Sequence, residues 1–247
     1  MTTVEAAAPL AALLRDAADR RGAPLGTEPS LLAGDAPGLL AADDPRLPGA
    51  LTANAAARWD APPHIAAALA WKGYAYWTAL PVALGWSLNR RVPLFSAEAT
   101  MVRVLDEAPY LVVGLREATV AVTAADPCAG GPGTVVVPDE AALLDLVRRV
   151  LLHDHYAPFI RALRTATRAG ERGLWGTAAE SLAAPLAHEV PGAADSVRAL
   201  LDGLGAPVAG LVELTADPPE VRRRTCCLWV ALRDNDACST CCLGRGR

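Results

Sequence analysis

The sequence predicts an α+β fold, mainly helical with a small antiparallel β-meander and a short C-terminal cysteine-rich segment. Three observations carry this reading. Apolar residues recur at helical spacing on both sides of the middle of the chain, short β-branched runs crowd between residues 92 and 137, and five of the six cysteines follow residue 225. A chain of 247 residues that is 52% hydrophobic is long enough to bury a full core.

Residues 4–20 read as an amphipathic helix with Val4, Leu10, Leu13, Leu14 and Ala17 on one side. The Pro/Gly-rich stretch from Gly22 to Gly49 reads as an irregular connection with one short helix, and helices resume at about Ala50. The most apolar run, Ile65 to Leu88, carries Lys72 and Pro81 among Trp71, Tyr74, Tyr76, Trp77 and Trp86. A membrane-spanning helix needs about 20 mostly uninterrupted apolar residues, so this run is read as two buried helical pieces broken near Pro81. From Val92 to Val137 the runs MVRVL, YLVVGL, TVAVT and TVVVP, separated by turn-forming residues, suit the meander. Asp139 is a plausible N-cap for a helix bearing Leu143, Leu146, Val147, Val150 and Leu151. Pro158 is expected to kink or split that helix, and Gly170 to Gly173 to end a second, with helices running on to about Leu204. Pro218 and Pro219 mark a boundary, dividing the chain into residues 1–217, with 1–50 as a helical and irregular lead-in, and a cysteine-rich segment, 218–247.

The net charge of −4 argues against a nucleic-acid partner, which calls for a basic surplus. The first 22 residues lack a basic region ahead of an apolar stretch, and Glu5, Arg15 and Asp16 interrupt them, so no signal peptide is read. A cytoplasmic protein is expected, and peripheral contact with the inner face of the membrane is compatible with this sequence. In that compartment cysteines serve as thiolates or cluster ligands more often than as disulfides.

The cysteines Cys226, Cys227, Cys238 and Cys241 form the pattern C-C-x10-C-x2-C. Structural zinc usually draws on two separated C-x2-4-C or H-x3-5-H hooks. Adjacent cysteines point apart, which suits a [2Fe-2S] unit with four thiolates spread over two irons better than one tetrahedral ion. The spacing matches neither common ferredoxin pattern. Cys242 is a further thiol beside the pattern, and the C-x2-C spacing favours Cys241 as the ligand. This segment resembles the cluster motif of the FhuF family of ferric-siderophore reductases. The stretch from His153 to Leu186 is similar to that family's upstream block, in which a histidine, tyrosine and proline precede an L-W-G-(N/T)-x-A run; here these are His155, Tyr156 and Pro158, then Leu174, Trp175, Gly176, Thr177 and Ala179. The same block resembles the C-terminal domain of aerobactin-type siderophore synthetases, so only the cysteines point to reduction. The likeness covers roughly residues 60–247.

The resemblance implies a [2Fe-2S] cluster on Cys226, Cys227, Cys238 and Cys241, a ferric siderophore, of the hydroxamate type, as substrate, and one-electron release of Fe(II). No dinucleotide fingerprint is visible, because the GGPG run at 130–133 lacks a following helix and acidic partner and reads as a turn. The electron must therefore come from a ferredoxin, a flavoprotein reductase or reduced flavin. Two other readings stay open: a [2Fe-2S] electron carrier without its own substrate, and a zinc-binding protein of siderophore binding or biosynthesis.

The remaining candidates are weighed individually. Arg222, Arg223 and Arg224 are either a solvated basic run or cations that favour a reduced, more anionic cluster and dock anionic partners. Trp229 and Trp175 are candidates for packing over a cluster or ligand, although core packing is the commoner fate of tryptophan. The family resemblance also leads one to expect an aromatic–arginine pair soon after the cysteines, where this chain has Trp229 and a more distant Arg233. His153 and His155, two apart on a helix, diverge by about 200° and cannot share a metal. His155 matches the histidine of the upstream block and is read either as a pocket residue or as an ordinary hydrogen-bonding one. His64 and His188 are isolated, and Cys128, in the GGPG turn, reads as a free thiol.

Overall fold

The computed structural model describes residues 4–34, 36–190, 194–215, 220–233 and 235–243. A 3-10 turn, Glu5–Ala7, leads into α1 (Ala8–Arg21), which buries Leu10, Ala11, Leu14 and Ala17 and ends at Gly22 in the left-handed conformation. The stretch predicted to be irregular contributes two strands, β1 (Thr27–Leu32) and β2 (Leu40–Ala41), before α2 (Leu47–Trp59). Pro29 hides β1 from a propensity reading, because proline demotes a run in a central strand; β1 accommodates it on the edge of its sheet, with an irregular register.

The apolar run forms one helix, α3 (Pro63–Asn89), that continues through Pro81. The expected break is absent because α3 is the buried axis of the fold, packed along α6 (Glu171–Glu189), and burial of Trp71, Tyr74, Ala75, Ala79, Ala83 and Trp86 outweighs the lost backbone bond. The Thr78 and Tyr156 hydroxyls bond the carbonyls of Tyr74 and Ala75, about two turns before Pro81. Among the described residues, no helix is long and apolar enough to cross a membrane.

All four β-branched runs are strands: β4 (Thr100–Val104), β5 (Leu111–Leu115), β6 (Val120–Thr123) and β7 (Thr134–Val137), with a short β3 (Val92–Pro93) ahead of them. They are shared between two small sheets, ordered β1-β5-β4-β2 and β3-β6-β7. The β4–β5, β2–β4 and β3–β6 pairs are antiparallel, while β1–β5 and β6–β7 are parallel. The mainly helical α+β class stands.

Asp139 caps α4 (Glu140–Val147) by accepting from the Ala142 N–H at 2.8 Å. The helix widens to π geometry over Arg148–Tyr156 and resumes as α5 (Ala157–Thr167), so that the run passes Pro158, the second residue of α5, without the expected split. Arg168, at φ 61°, closes α5; Gly170 is the N-cap of α6, and Gly173 lies inside that helix. The helical part ends with α7 (Ala194–Leu204), at the expected residue. An antiparallel hairpin that the sequence reading did not anticipate follows, β8 (Val212–Thr215) with β9 (Glu220–Arg223), and β9 packs on α6. The boundary prolines Pro218 and Pro219 lie outside the described residues.

Candidate metal centre and adjoining cavity

Strand alternation sets the approach to the cysteines. From Val221 onward the odd-numbered residues Val221, Arg223, Thr225 and Cys227 are buried, while Arg222 and Arg224 are exposed and Cys226 is half-exposed. The segment lies against α6 where that helix carries two glycines. A β-carbon at Gly176 would stand 1.8 Å from the Thr225 hydroxyl, and one at Gly173 would touch the Cys226 carbonyl at 3.5 Å. The Leu174-Trp175-Gly176-Thr177 run is thus a seat for the cysteine segment. Trp175 itself is buried but does not line the cavity described below.

The three arginines have different fates. Arg224 pairs with Glu213 at 2.8 Å, and Arg222 donates to the Cys242 carbonyl at 3.3 Å; both side chains face solvent. Arg223 is 2% exposed and donates from Nη2 to the Thr177 hydroxyl at 2.6 Å and to the Gly173 carbonyl at 3.2 Å. Its Nε and Nη1 are buried with no hydrogen-bond partner among the described residues. The Arg223 backbone N–H donates to the Thr240 carbonyl at 2.9 Å, tying the first pair of cysteines to the second.

Cys227 and Cys238 Sγ stand 3.5 Å apart, and all six cysteines are unbridged. Burial pushes the Cys227 thiol up, against the pull of Lys72. Burial acts the same way on Cys238, but Lys72 and hydrogen bonds from the Cys227 thiol and Thr240 prevail and lower its pKa. Backbone amides serve two other motif sulfurs: the Leu228 N–H donates to Cys226 Sγ at 3.3 Å and the Leu243 N–H to Cys241 Sγ at 3.4 Å. Cys242 lies close enough to Cys226 and Cys241 for their charges, after burial, to raise its pKa.

These features fit a thiolate-held anionic group. Two sulfurs on one tetrahedral ion with bonds of about 2.3 Å stand roughly 3.8 Å apart, close to the Cys227–Cys238 separation. Amide donors to sulfur and a buried guanidinium with two unpartnered nitrogens are what such a group needs around it. Among the described residues no three His, Cys, Asp or Glu side chains are grouped as a single metal-ion site. Cys227 and Cys238 are the pair that matches shared metal ligation.

A cavity of about 570 Å³ opens beside this pair, and Cys238, Ser239 and Thr240 form one of its walls. Each helix contributes one stripe at helical spacing: Leu51, Asn54, Ala55, Arg58 and Trp59 from α2; Leu69, Lys72, Gly73, Tyr76 and Trp77 from α3; Glu180, Ala184 and His188 from α6. Tyr110 and Trp229 also line it, and Trp229 meets Trp59 edge to face at 6.0 Å. Buried Glu180 accepts a 3.5 Å hydrogen bond from the Thr240 hydroxyl, so the cysteine loop and the cavity share a contact.

His155 is elsewhere. It is 1% exposed, hydrogen-bonded through Nδ1 to the Phe95 carbonyl at 2.8 Å and through Nε2 to the Tyr74 hydroxyl, and it does not line the cavity. Because a carbonyl only accepts, Nδ1 carries the proton and Tyr74 donates to Nε2. Burial lowers its pKa to about 4, which keeps it neutral. His153 is exposed, and Cys128 lines a separate cleft with Val4 and Glu5. Of the other residues singled out in the sequence, Trp229 joins the cavity, Arg223 joins the cysteines, and Arg233 is exposed. Sequence reasoning missed Arg58, Trp59, Tyr110 and Glu180; the lone lysine in an apolar run, Lys72, was the one local signal for this cavity. No protein-family model, curated protein or solved structure matches the chain.

Proposed function

We propose that the chain is a cytoplasmic ferric-siderophore reductase of the FhuF type. The observation that carries the reading is the shared wall: Cys238, Ser239 and Thr240 belong both to the cysteine motif and to a cavity of small-molecule size. Cys226, Cys227, Cys238 and Cys241 would hold a [2Fe-2S] cluster, which when bound supplies one electron at low potential. The other parts of the site are the chain's own. The cavity's aromatic side chains hold a chelate against the cysteine loop and exclude water from the contact. Lys72 and Arg223 place positive charge beside the thiolates, and the amides of Leu228 and Leu243 bond to sulfur.

The substrate is a ferric ion wrapped by hard oxygen donors, which hold Fe(III) far more tightly than Fe(II), so one electron frees the metal. The electron comes from an external donor, a ferredoxin, a flavoprotein reductase or reduced flavin; half-exposed Cys226 marks the side open to it. The Cys227–Cys238 separation also suits zinc, which supports the zinc-binding alternative. A carrier without its own substrate leaves the cavity without a role.

The deciding experiment reduces anaerobic, reconstituted protein with dithionite, adds one equivalent of a ferric hydroxamate and traps Fe(II) with ferrozine. Reoxidation of the visible spectrum with matching Fe(II) is expected. A cluster that stays reduced favours the carrier or a different chelate, and a colourless, zinc-loaded protein overturns the iron–sulfur reading.

A further inference from the structure

Arg58 is the least expected group in the cavity wall. Its guanidinium lies 3.7 Å from the ring centroids of both Trp59 and Tyr110, clamped between two aromatic faces. Among the described residues it has no carboxylate partner, and its buried Nε and Nη1 have no hydrogen-bond partner. Stacking fixes the planar cation and takes water off Nε and Nη1, while the half-exposed side chain stays within reach of the cavity, an arrangement suited to binding anions. The other cation of the lining is Lys72, whose charge acts on Cys227 and Cys238. The one opposing carboxylate is Glu180, which accepts from Thr240.

We infer that Arg58 is the anion anchor of this cavity, and that the ferric chelate it accepts carries net negative charge, as a mixed carboxylate–hydroxamate complex does and a neutral tris-hydroxamate does not. The inference rests on the reductase reading for the identity of the ligand. Its physical core is charge balance. A neutral chelate filling the cavity would cover the clamped cation and leave it desolvated and uncompensated, whereas an anionic chelate of the same donor atoms restores the lost interaction. The aromatic walls then serve the organic backbone of the chelate, and the charge sets the choice among chelates.

The test uses redox-inert gallium(III), so that binding is read independently of any electron transfer. Tryptophan fluorescence of the whole protein is titrated with an anionic gallium(III) citrate–dihydroxamate and with a neutral gallium(III) tris-hydroxamate. The expected result is tighter binding of the anionic complex by roughly tenfold or more, the size of one lost charge contact. That preference should shrink about as much in Arg58→Gln and weaken for the unaltered protein between low and high salt. Equal affinities, a preference for the neutral complex, or a preference that neither Arg58→Gln nor salt reduces would overturn the inference while leaving the reductase reading intact. Binding of neither complex would also overturn it. Failure of the ferrozine assay alongside a charge preference would instead sink the reductase reading alone. Thermal unfolding by circular dichroism shows whether Arg58→Gln is folded; if it is not, the salt series on the unaltered protein decides.

Discussion

Replacing Gly176 by alanine tests whether α6 is the seat of the cysteine segment. The added methyl would lie 1.8 Å from Thr225 Oγ1, 3.0 Å from its Cβ and 3.1 Å from its Cγ2. Rotating Thr225 clears the hydroxyl at little cost, because Oγ1 has no hydrogen-bond partner to lose. The Cβ contact survives any rotation, so the Thr225 backbone must move by a few tenths of an ångström. Overpacking of this kind costs about 1–3 kcal/mol, and glycine-to-alanine in a helix interior returns about 1 kcal/mol. The net expectation is destabilisation by roughly 1 kcal/mol, read as a lower urea midpoint at unchanged slope. Thr225→Ala alone should be nearly neutral, and because alanine keeps the Cβ that stands 3.0 Å away, the double variant Gly176→Ala/Thr225→Ala should stay destabilised, with a coupling of no more than about 0.5 kcal/mol. On the iron–sulfur reading, iron loading on reconstitution is the second readout, expected to fall in Gly176→Ala and in the double variant alike. If Gly176→Ala proved more stable than the parent by the full helix-propensity gain, the close packing of α6 on this segment would be refuted.

Other outcomes follow from the same geometry. On the proposed iron–sulfur reading, Cys227→Ser and Cys238→Ser should each abolish cluster assembly, measured as iron and acid-labile sulfide per chain, whereas Cys242→Ser should retain it. Arg223→Met should destabilise the fold by about 2 kcal/mol, because it removes charged hydrogen bonds to Thr177 and Gly173 from a buried site. Arg222→Gln and Arg224→Gln, on exposed side chains, should stay within about 0.5 kcal/mol in the same urea assay. His155 has its pKa lowered to about 4 by burial, below its usual 6.5, so the unfolded chain takes up a proton first. Its contribution to stability is complete above pH 6.5 and is lost as pH falls towards 4, by up to about 1.4 kcal/mol per pH unit. His155→Gln should remove that one-proton slope from stability curves recorded across this window; an unchanged slope would show that His155 is not the group responsible.

Much of the architecture was legible in the sequence because it is written in local patterns. The β-branched runs, the Asp139 cap and the end of α7 at Leu204 each follow from spacing or one cap residue. The continuity of α3 was not legible, because the burial that carries it past Pro81 is supplied by α6, far away in sequence. The parallel pairing of β6 with β7 was hidden for a similar reason: strand propensity says nothing about partner or direction. At the site, the cysteine motif is local and visible, and so are the glycines of α6, although not what they make room for. The cavity is the opposite case. Arg58 looks like any helix-surface arginine until Tyr110, from a distant turn, closes over it.

Strand β9 also acts as a ruler. Its pairing with β8, Val212 to Arg223 and Glu213 to Arg222, decides which member of an arginine triplet enters the protein. Three identical neighbours give no chemical preference for the middle one. A slip of one residue would turn Arg222 and Arg224 inward, bury two cations where one now sits, and carry Cys227 to the outer side. The hairpin register therefore sets both the charge beneath the thiols and which of two adjacent cysteines is buried, and an insertion or deletion between residues 220 and 226 would reverse both together.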